Sequence, residues 1–267
     1  GRASRLHSSS RAKKFDHFMA AICPDASDVI LDIGAGIGDF LEEVYEYKNN
    51  IVAVDISWER LARLRDRHPE VRPICASALS LPFKNDAVDV VFSNAVVEHV
   101  GGWANQAQFA NEVSRVAPSF FVTTPNYWFP IEQHYRLPLF QYLPKSAQRA
   151  VHNRVAVGFL KKGEFEDINL LSAREMRKLF PDSAVVSQRT TFWPESLIAF
   201  KTGARKAPKS ALPNVVCPLC RSELHDAVDQ LQCESCRRSY EVRAGIPILT
   251  GPSIEARPLA GASRSAG

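Results

Sequence analysis

The sequence predicts an α/β fold: a doubly wound, mostly parallel sheet with a small C-terminal unit attached. Three observations carry this. The run Val29 to Ile33 is continuously apolar except for Asp32, and a glycine-rich turn and then a helical pattern from Asp39 to Tyr47 follow it. A second apolar run, Ile51 to Val54, ends in an acid, Asp55. Strand-like and helix-like stretches then alternate down the chain, the pattern of βαβ units.

Composition sets the bounds. The chain has 267 residues, enough for one full domain and a small appendage. An apolar fraction of 45% is ordinary for a globular protein, and no run reaches the roughly eighteen apolar residues of a membrane span. The net charge of +4 is mild and does not by itself argue for nucleic acid. Residues 1–10, rich in Ser and Arg, lack the apolar core of a secretory signal and read as a disordered lead-in. Of six cysteines, Cys23 and Cys75 stand apart and read as buried small apolar residues; the other four form two C-x-x-C pairs. Metal-like rather than disulfide-like spacing favours a reducing, cytoplasmic location.

The elements follow in order. Ser10 to Ile22 carries Phe15, Phe18, Met19 and Ile22 at helical spacing, either capping a ligand mouth or simply packing, with Arg11, Lys13 and Lys14 as a solvated face. After the strand Val29 to Ile33, Gly34 and Gly36 let the chain turn sharply and let a ligand approach the backbone. The turn reads D-x-G-x-G-x-G, with Asp39 where a dinucleotide fingerprint has its third glycine. Asp32 and Asp39 would repel a pyrophosphate but suit a cationic ligand. Asp55 ends the next strand, where a carboxylate can accept hydrogen bonds from both ribose hydroxyls. Ser57 caps the helix Trp58 to Arg67, which His68-Pro69 closes. Trp58 either lies on an adenine ring or covers the helix start.

This stretch resembles motif I of Rossmann-like S-adenosylmethionine-dependent methyltransferases of the type 11 kind, and Asp55 matches their ribose-binding acid. The similarity continues past the third strand, Val71 to Cys75. There Ser77-Ala78-Leu79-Ser80-Leu81-Pro82-Phe83 has a serine where the family often has an acid for the adenine amine. A hydroxyl also accepts a hydrogen bond, more weakly. After the fourth strand, Ala87 to Ser93, comes Asn94-Ala95-Val96-Val97-Glu98-His99-Val100, the segment that in similar enzymes lines the gap between sulfonium and acceptor. The resemblance implies cofactor contacts at Asp32, Gly34, Ala35, Gly36, Gly38, Asp55, Ile56, Ser77, Ala78 and Asn94. It leaves His99 open between a general base and a residue that packs the loop.

Asn105 to Val116 reads as a helix and Ser119 to Thr123 as strand five. The run Tyr127 to Pro138 packs Tyr127, Trp128, Phe129, His134 and Tyr135 among charges and prolines. We read 127–165 as a substrate-facing insertion or lid with a helix over Lys145 to Val157; His134 is a second base candidate. Ser172 and Glu175 form a capping box for a helix to Phe180. Ala184 to Thr190 and Ser196 to Lys201 match the pair that ends the methyltransferase sheet, which implies seven strands with an antiparallel final strand. The domain thus spans 11–202.

Residues 203–213 form a basic linker. Cys217 and Cys220, then Cys233 and Cys236 after twelve intervening residues, have the spacing of a zinc ribbon over 214–250, with Zn²⁺ structural because no position stays open. The ribbon resembles short proteins that activate methyltransferases of translation components. Residues 251–267 read as a disordered tail. The expected activity is methyl transfer from S-adenosylmethionine to a small-molecule or glycan-pathway acceptor. Two other readings stand beside it. One is methylation of a tRNA or translation protein, with the ribbon docking a protein partner; nucleic acid is disfavoured because the post-strand-four motif is not N/D-P-P-Y/F. The other is a non-enzymatic scaffold.

Overall fold

A computed structural model describes residues 2–39, 50–154, 165–189, 192–204 and 212–250, with the backbone alone for 2–11 and 152. The expected helix over Asp39 to Tyr47, the end of the Lys145 to Val157 helix, most of the linker and the tail lie outside these residues.

The strands are β1 (Ile30–Ile33), β2 (Ile51–Asp55), β3 (Arg72–Ala76), β4 (Val90–Asn94), β5 (Ser119–Pro125), β6 (Ala184–Gln188) and β7 (Ser196–Lys201). They lie in the order β6-β7-β5-β4-β1-β2-β3. β1 to β5 pair in parallel, while β7 runs antiparallel to β5 and to β6. This is the expected seven-stranded sheet. Strand alternation divides the apolar residues between two cores. Leu31, Ile33, Val52, Val54, Val91 and Val122 face one, with Phe109 and Val113. Ile30, Ile51, Ala53, Phe92 and Phe121 face the other, with Phe18, Leu61 and Leu64.

The helices are α1 (Arg2–Ile22), α2 (Trp58–Arg67), α3 (Trp103–Val116), α4 (Lys145–Arg154) and α5 (Ala173–Leu179). The caps expected at Ser57 and Ser172 form: Ser57 Oγ accepts from Arg60 N, and Ser172 and Glu175 make the reciprocal pair. α1 ends at Ile22 as expected but starts well before Ser10. It begins at Arg2, since the lead-in holds no proline or internal glycine to break it. At its far end Cys23 is exposed rather than buried; its φ of 48° and its N–H bond to Met19 O end the helix in a left-handed turn. Cys75 is buried as expected. Phe18 anchors α1 to the sheet, edge-on to Phe92 at 5.2 Å and to Phe121 at 5.5 Å, a burial that stabilises by about 1.5–3 kcal/mol. Lys14 is not part of a solvated face. It is buried, and its Nζ donates to Asn94 Oδ1 at 3.1 Å.

The aromatic stretch after β5 folds on a core of its own. Tyr135, Phe140 and Ile168 are buried together, with Leu137, Val151 and Phe165 around them. Four short strands follow: β8 (His225–Ala227), β9 (Gln230–Gln232), β10 (Ser239–Arg243) and β11 (Ile246–Leu249). They do not form a detached sheet. β11 pairs in parallel with β3, Ile248 opposite Cys75 and Leu249 opposite Ala76, so eleven strands run continuously. Val216 N donates to Pro82 O at 2.9 Å, and Arg221 Nη2 meets the buried Glu112 at 2.8 Å. The C-terminal unit thus closes the sheet edge that β3 would otherwise leave open.

Candidate active site

A crevice of about 640 Å³ opens at the carboxyl ends of β1 to β4, lined by Gly34, Asp55, Ile56, Ser77, Ala78 and His99 among others. This is where open α/β sheets bind ligands. Gly34 has φ +77° and donates its N–H to Val54 O at 2.7 Å; a Cβ there would lie 2.2 Å from Val96 Cγ2. Gly36, at φ +59°, faces open space and donates to Asp55 Oδ2 at 3.0 Å. Ser57 N donates to Asp55 Oδ1 at 2.8 Å, and the Arg60 guanidinium stands 3.7 Å from Oδ2. Asp55 is therefore fixed in place and aimed at the crevice by backbone donors.

A smaller hollow of about 180 Å³ adjoins the turn, lined by Asp32, Ala35, Gly36 and Asn94. Asp32 is buried, and its Oδ2 accepts no hydrogen bond from any described residue. Burial, and then the nearby charge of Asp55, push its carboxyl up to about 7. An orphaned buried carboxylate beside an open hollow fits a cationic group such as the sulfonium and ammonium end of S-adenosylmethionine. Asn94 Oδ1 accepts from Lys14 and from Thr123 Oγ1 at 2.6 Å, which fixes the amide at the hollow's wall.

Not every expected residue reaches the crevice. Gly38, at φ +84°, lies against His68, whose Cδ2 would be 2.8 Å from an added Cβ, so it serves packing. Ser77 lines the crevice, and its Oγ also accepts from Leu79 N at 3.2 Å, which caps its own turn. Trp58 packs against the C-terminal unit: Arg243 lies over its ring at 5.1 Å, and its Nε1 donates to Arg243 O. Ala95 holds a left-handed φ of 58° at the crevice wall, backbone strain of the kind found at functional turns.

Beside the crevice the two histidines meet, their rings edge to face at 4.9 Å. Glu166 Oε1 holds His99 Nδ1 at 2.7 Å, and Glu132 Oε1 holds His134 Nδ1 at 2.8 Å. Burial works against the charged form of His99. The Glu166 hydrogen bond and the charges of Glu98, Glu166 and Glu132 outweigh it, and the imidazole sits above its ordinary pKa. Glu98 lies fully buried beneath both rings, with Oε2 accepting from Thr124 Oγ1 at 3.0 Å. Glu98, Glu166 and Lys14 are site residues that the sequence reading did not assign. The Glu98-His99 pair was a visible signal; Glu166, 67 residues from His99, had none.

In the C-terminal unit Cys217, Cys220, Cys233 and Cys236 gather within 4.8 Å of one another. The Cys217–Cys236 and Cys220–Cys233 sulfurs are 3.5 and 3.4 Å apart. A tetrahedron of thiolates around Zn²⁺ at about 2.3 Å has sulfurs roughly 3.8 Å apart, so the set fits a closed zinc site. Tyr240 Oη, 3.1 Å from Cys217 Sγ, supports it from outside.

Comparison with known proteins agrees with this geometry. Residues 31–119 match the family described as a methyltransferase domain, and residues 212–245 match Trm112p-like protein. The chain is 34% identical over 89 residues to the biotin biosynthesis bifunctional protein BioHC of Cellvibrio japonicus, covering 33% of this chain and 17% of that one. It is 32% identical over 81 residues to a malonyl-[acyl-carrier protein] O-methyltransferase of Pectobacterium atrosepticum, covering 30% of this chain and 32% of the relative. The chain therefore spans about a third or less of the length of these two relatives. A solved structure of a proposed S-adenosylmethionine-dependent methyltransferase from Listeria monocytogenes has the same fold, with a TM-score of 0.52 at 13% identity, over 75% of this chain and 99% of that one. Among the described residues no helix is long and apolar enough to cross a membrane. The chain thus carries a Rossmann-like domain of the methyltransferase family with a Trm112p-like ribbon fused behind it.

Proposed function

We propose that this protein transfers a methyl group from S-adenosylmethionine to a small-molecule or glycan-pathway acceptor. The observation that carries the proposal is the pair of carboxylates at the sheet's switch point: Asp55 pinned by backbone donors, Asp32 buried with an unpaired oxygen. Asp55 receives the ribose hydroxyls. Asp32 and Asn94, with Gly34, Ala35 and Gly36, hold the methionine end. Ile56, Ser77 and Ala78 border the adenine. The sulfonium makes the methyl carbon electrophilic, so the protein's main task is to align the acceptor and exclude water. His99 and His134, each steadied through Nδ1 by a carboxylate, form the acceptor-activating pair.

The four cysteines hold a structural Zn²⁺ in this reading. A second reading, methylation of a macromolecule with the ribbon as docking module for a protein partner, draws on the Trm112p-like match. Against it, β11 is already occupied by β3 of the same chain. The deciding experiment incubates the protein with cofactor and acceptor panels, metabolites in one arm and tRNA or ribosomal fractions in the other, and reads mass gain. Asp55→Ala should weaken cofactor binding about 10- to 100-fold in calorimetry, as expected for loss of charge-assisted hydrogen bonds. Unchanged affinity would refute the assignment.

A further inference from the structure

We propose that Glu98, His99 and His134 form a binding site for a divalent first-row transition metal ion on the acceptor side of the crevice. Three donor atoms converge there. Glu98 Oε1 lies 3.9 Å from His99 Nε2 and 3.9 Å from His134 Nε2, and all three atoms lie within 4.8 Å of one another. The residues come from two separate segments, the loop after β4 and the aromatic insertion, so the convergence is a product of the fold.

Glu98 is the key. It is fully buried, and its Oε1 accepts no hydrogen bond from any described residue although Oε2 is held by Thr124. A buried carboxylate oxygen without a partner is costly and calls for an explanation. Simple pairing with a histidine does not supply one, because 3.9 Å is beyond hydrogen-bond range and an imidazolium free to pair would close to about 2.8 Å. Tetrahedral ligands at about 2.0–2.1 Å from a metal lie roughly 3.4 Å from each other. The two Glu98 separations need to shrink by only about half an ångström to reach that geometry.

The surroundings fit as well. Glu166 and Glu132 bind the Nδ1 atoms at 2.7 and 2.8 Å. A carboxylate on one imidazole nitrogen places the proton there and leaves the other nitrogen's lone pair for a metal, the usual setting of ligating histidines. Three carboxylates, Glu98, Glu132 and Glu166, surround the two rings, an acidic setting that suits a cation. Two imidazoles and one carboxylate suit zinc or iron(II) better than magnesium or calcium, which favour oxygen ligands throughout.

Three protein ligands leave a coordination position open, and His99 and Glu166 both line the crevice. The use of the ion rests on the methyltransferase reading; its binding does not. With the ion bound, both histidines serve as its ligands and the ion takes over the activation of the acceptor: a hydroxyl on it would release its proton to water. The resulting oxygen anion attacks the methyl carbon as the carbon–sulfur bond breaks, and the electron pair stays on sulfur to give the neutral thioether.

The test counts metal on the full chain. The protein is loaded with excess Zn²⁺, dialysed and measured by inductively coupled plasma mass spectrometry. Two zinc ions per chain are expected in the wild type, one in the ribbon and one here. Glu98→Gln and His134→Ala should each retain one. Cobalt(II) separates the sites by spectrum, since only the ribbon gives intense thiolate charge-transfer bands. Because either variant can disturb the buried loop, Glu132→Gln provides a milder one: its second zinc should bind about 10- to 100-fold more weakly in competition with a chelator. One zinc in the wild type, two retained in Glu98→Gln, or unaltered affinity in Glu132→Gln overturns the site. Two zinc ions with no turnover of any acceptor would uphold the site and count against the methyltransferase reading.

Discussion

Replacing Asp32 by Asn should stabilise the cofactor-free protein while it damages cofactor binding. The carboxyl is raised from 3.8 to about 7 by burial and by Asp55, and its Oδ2 is unpaired. Below pH 3.8 it is protonated in folded and unfolded chains alike and costs nothing. Between 3.8 and 7 only the unfolded chain ionises, so folding loses stability as pH rises; above 7 the folded carboxyl ionises too and the loss levels off. At about 1.4 kcal/mol per pH unit the full penalty is roughly 4 kcal/mol at pH 8. The amide recovers only part of it, about 1–3 kcal/mol, because its own NH₂ also needs a partner.

For a chain of this size that recovery raises the melting temperature by about 2–10 °C at pH 8 and by progressively less as pH falls toward 4. Scanning calorimetry of wild type and variant across pH 4.5–8 measures it. Cofactor affinity moves the other way. A cationic ligand binds the ionised carboxylate, so wild-type affinity should fall about tenfold per pH unit below 7, and the Asn variant should lose that slope. A cofactor-free variant less stable than wild type at pH 8 would show that Asp32 is not an unsatisfied charge. Equal pH slopes for the two proteins would show that it does not meet the cation.

Gly34→Ala should abolish measurable cofactor binding, since its Cβ would sit 2.2 Å from Val96 Cγ2 at a φ of +77° that disfavours any side chain; wild-type affinity in calorimetry would contradict this close packing. Removing zinc with a strong chelator, or Cys233→Ser, should free β11 from β3. Hydrogen exchange at Ile246–Leu249 and Arg72–Ala76 should then accelerate together, because a structural zinc site supplies folding energy to its unit. Protection retained at both strands would show that the ribbon's seat on the sheet does not depend on the metal.

What the residues decided alone is what local physics decides. Continuous apolar runs placed β1 and β2 in the sheet, Ser57 and Ser172 started their helices, and the glycine turn with Asp32 and Asp55 located the crevice. Cysteine spacing likewise fixes which four thiols gather, because a C-x-x-C pair already brings two sulfurs to one point. The rest depends on groups distant along the chain, and no local pattern encodes their meeting. Lys14 looked solvated until α1 laid it on Asn94, and Trp58 stood open between a ligand ring and packing until Arg243 came to lie over it. Cysteine spacing marks a ribbon over 214–250 but not that an open parallel edge at β3 would satisfy the backbone donors and acceptors of Ile246 to Leu249. Only packing, by burying Glu98 under two rings from separate segments, turned two isolated histidines into one centre.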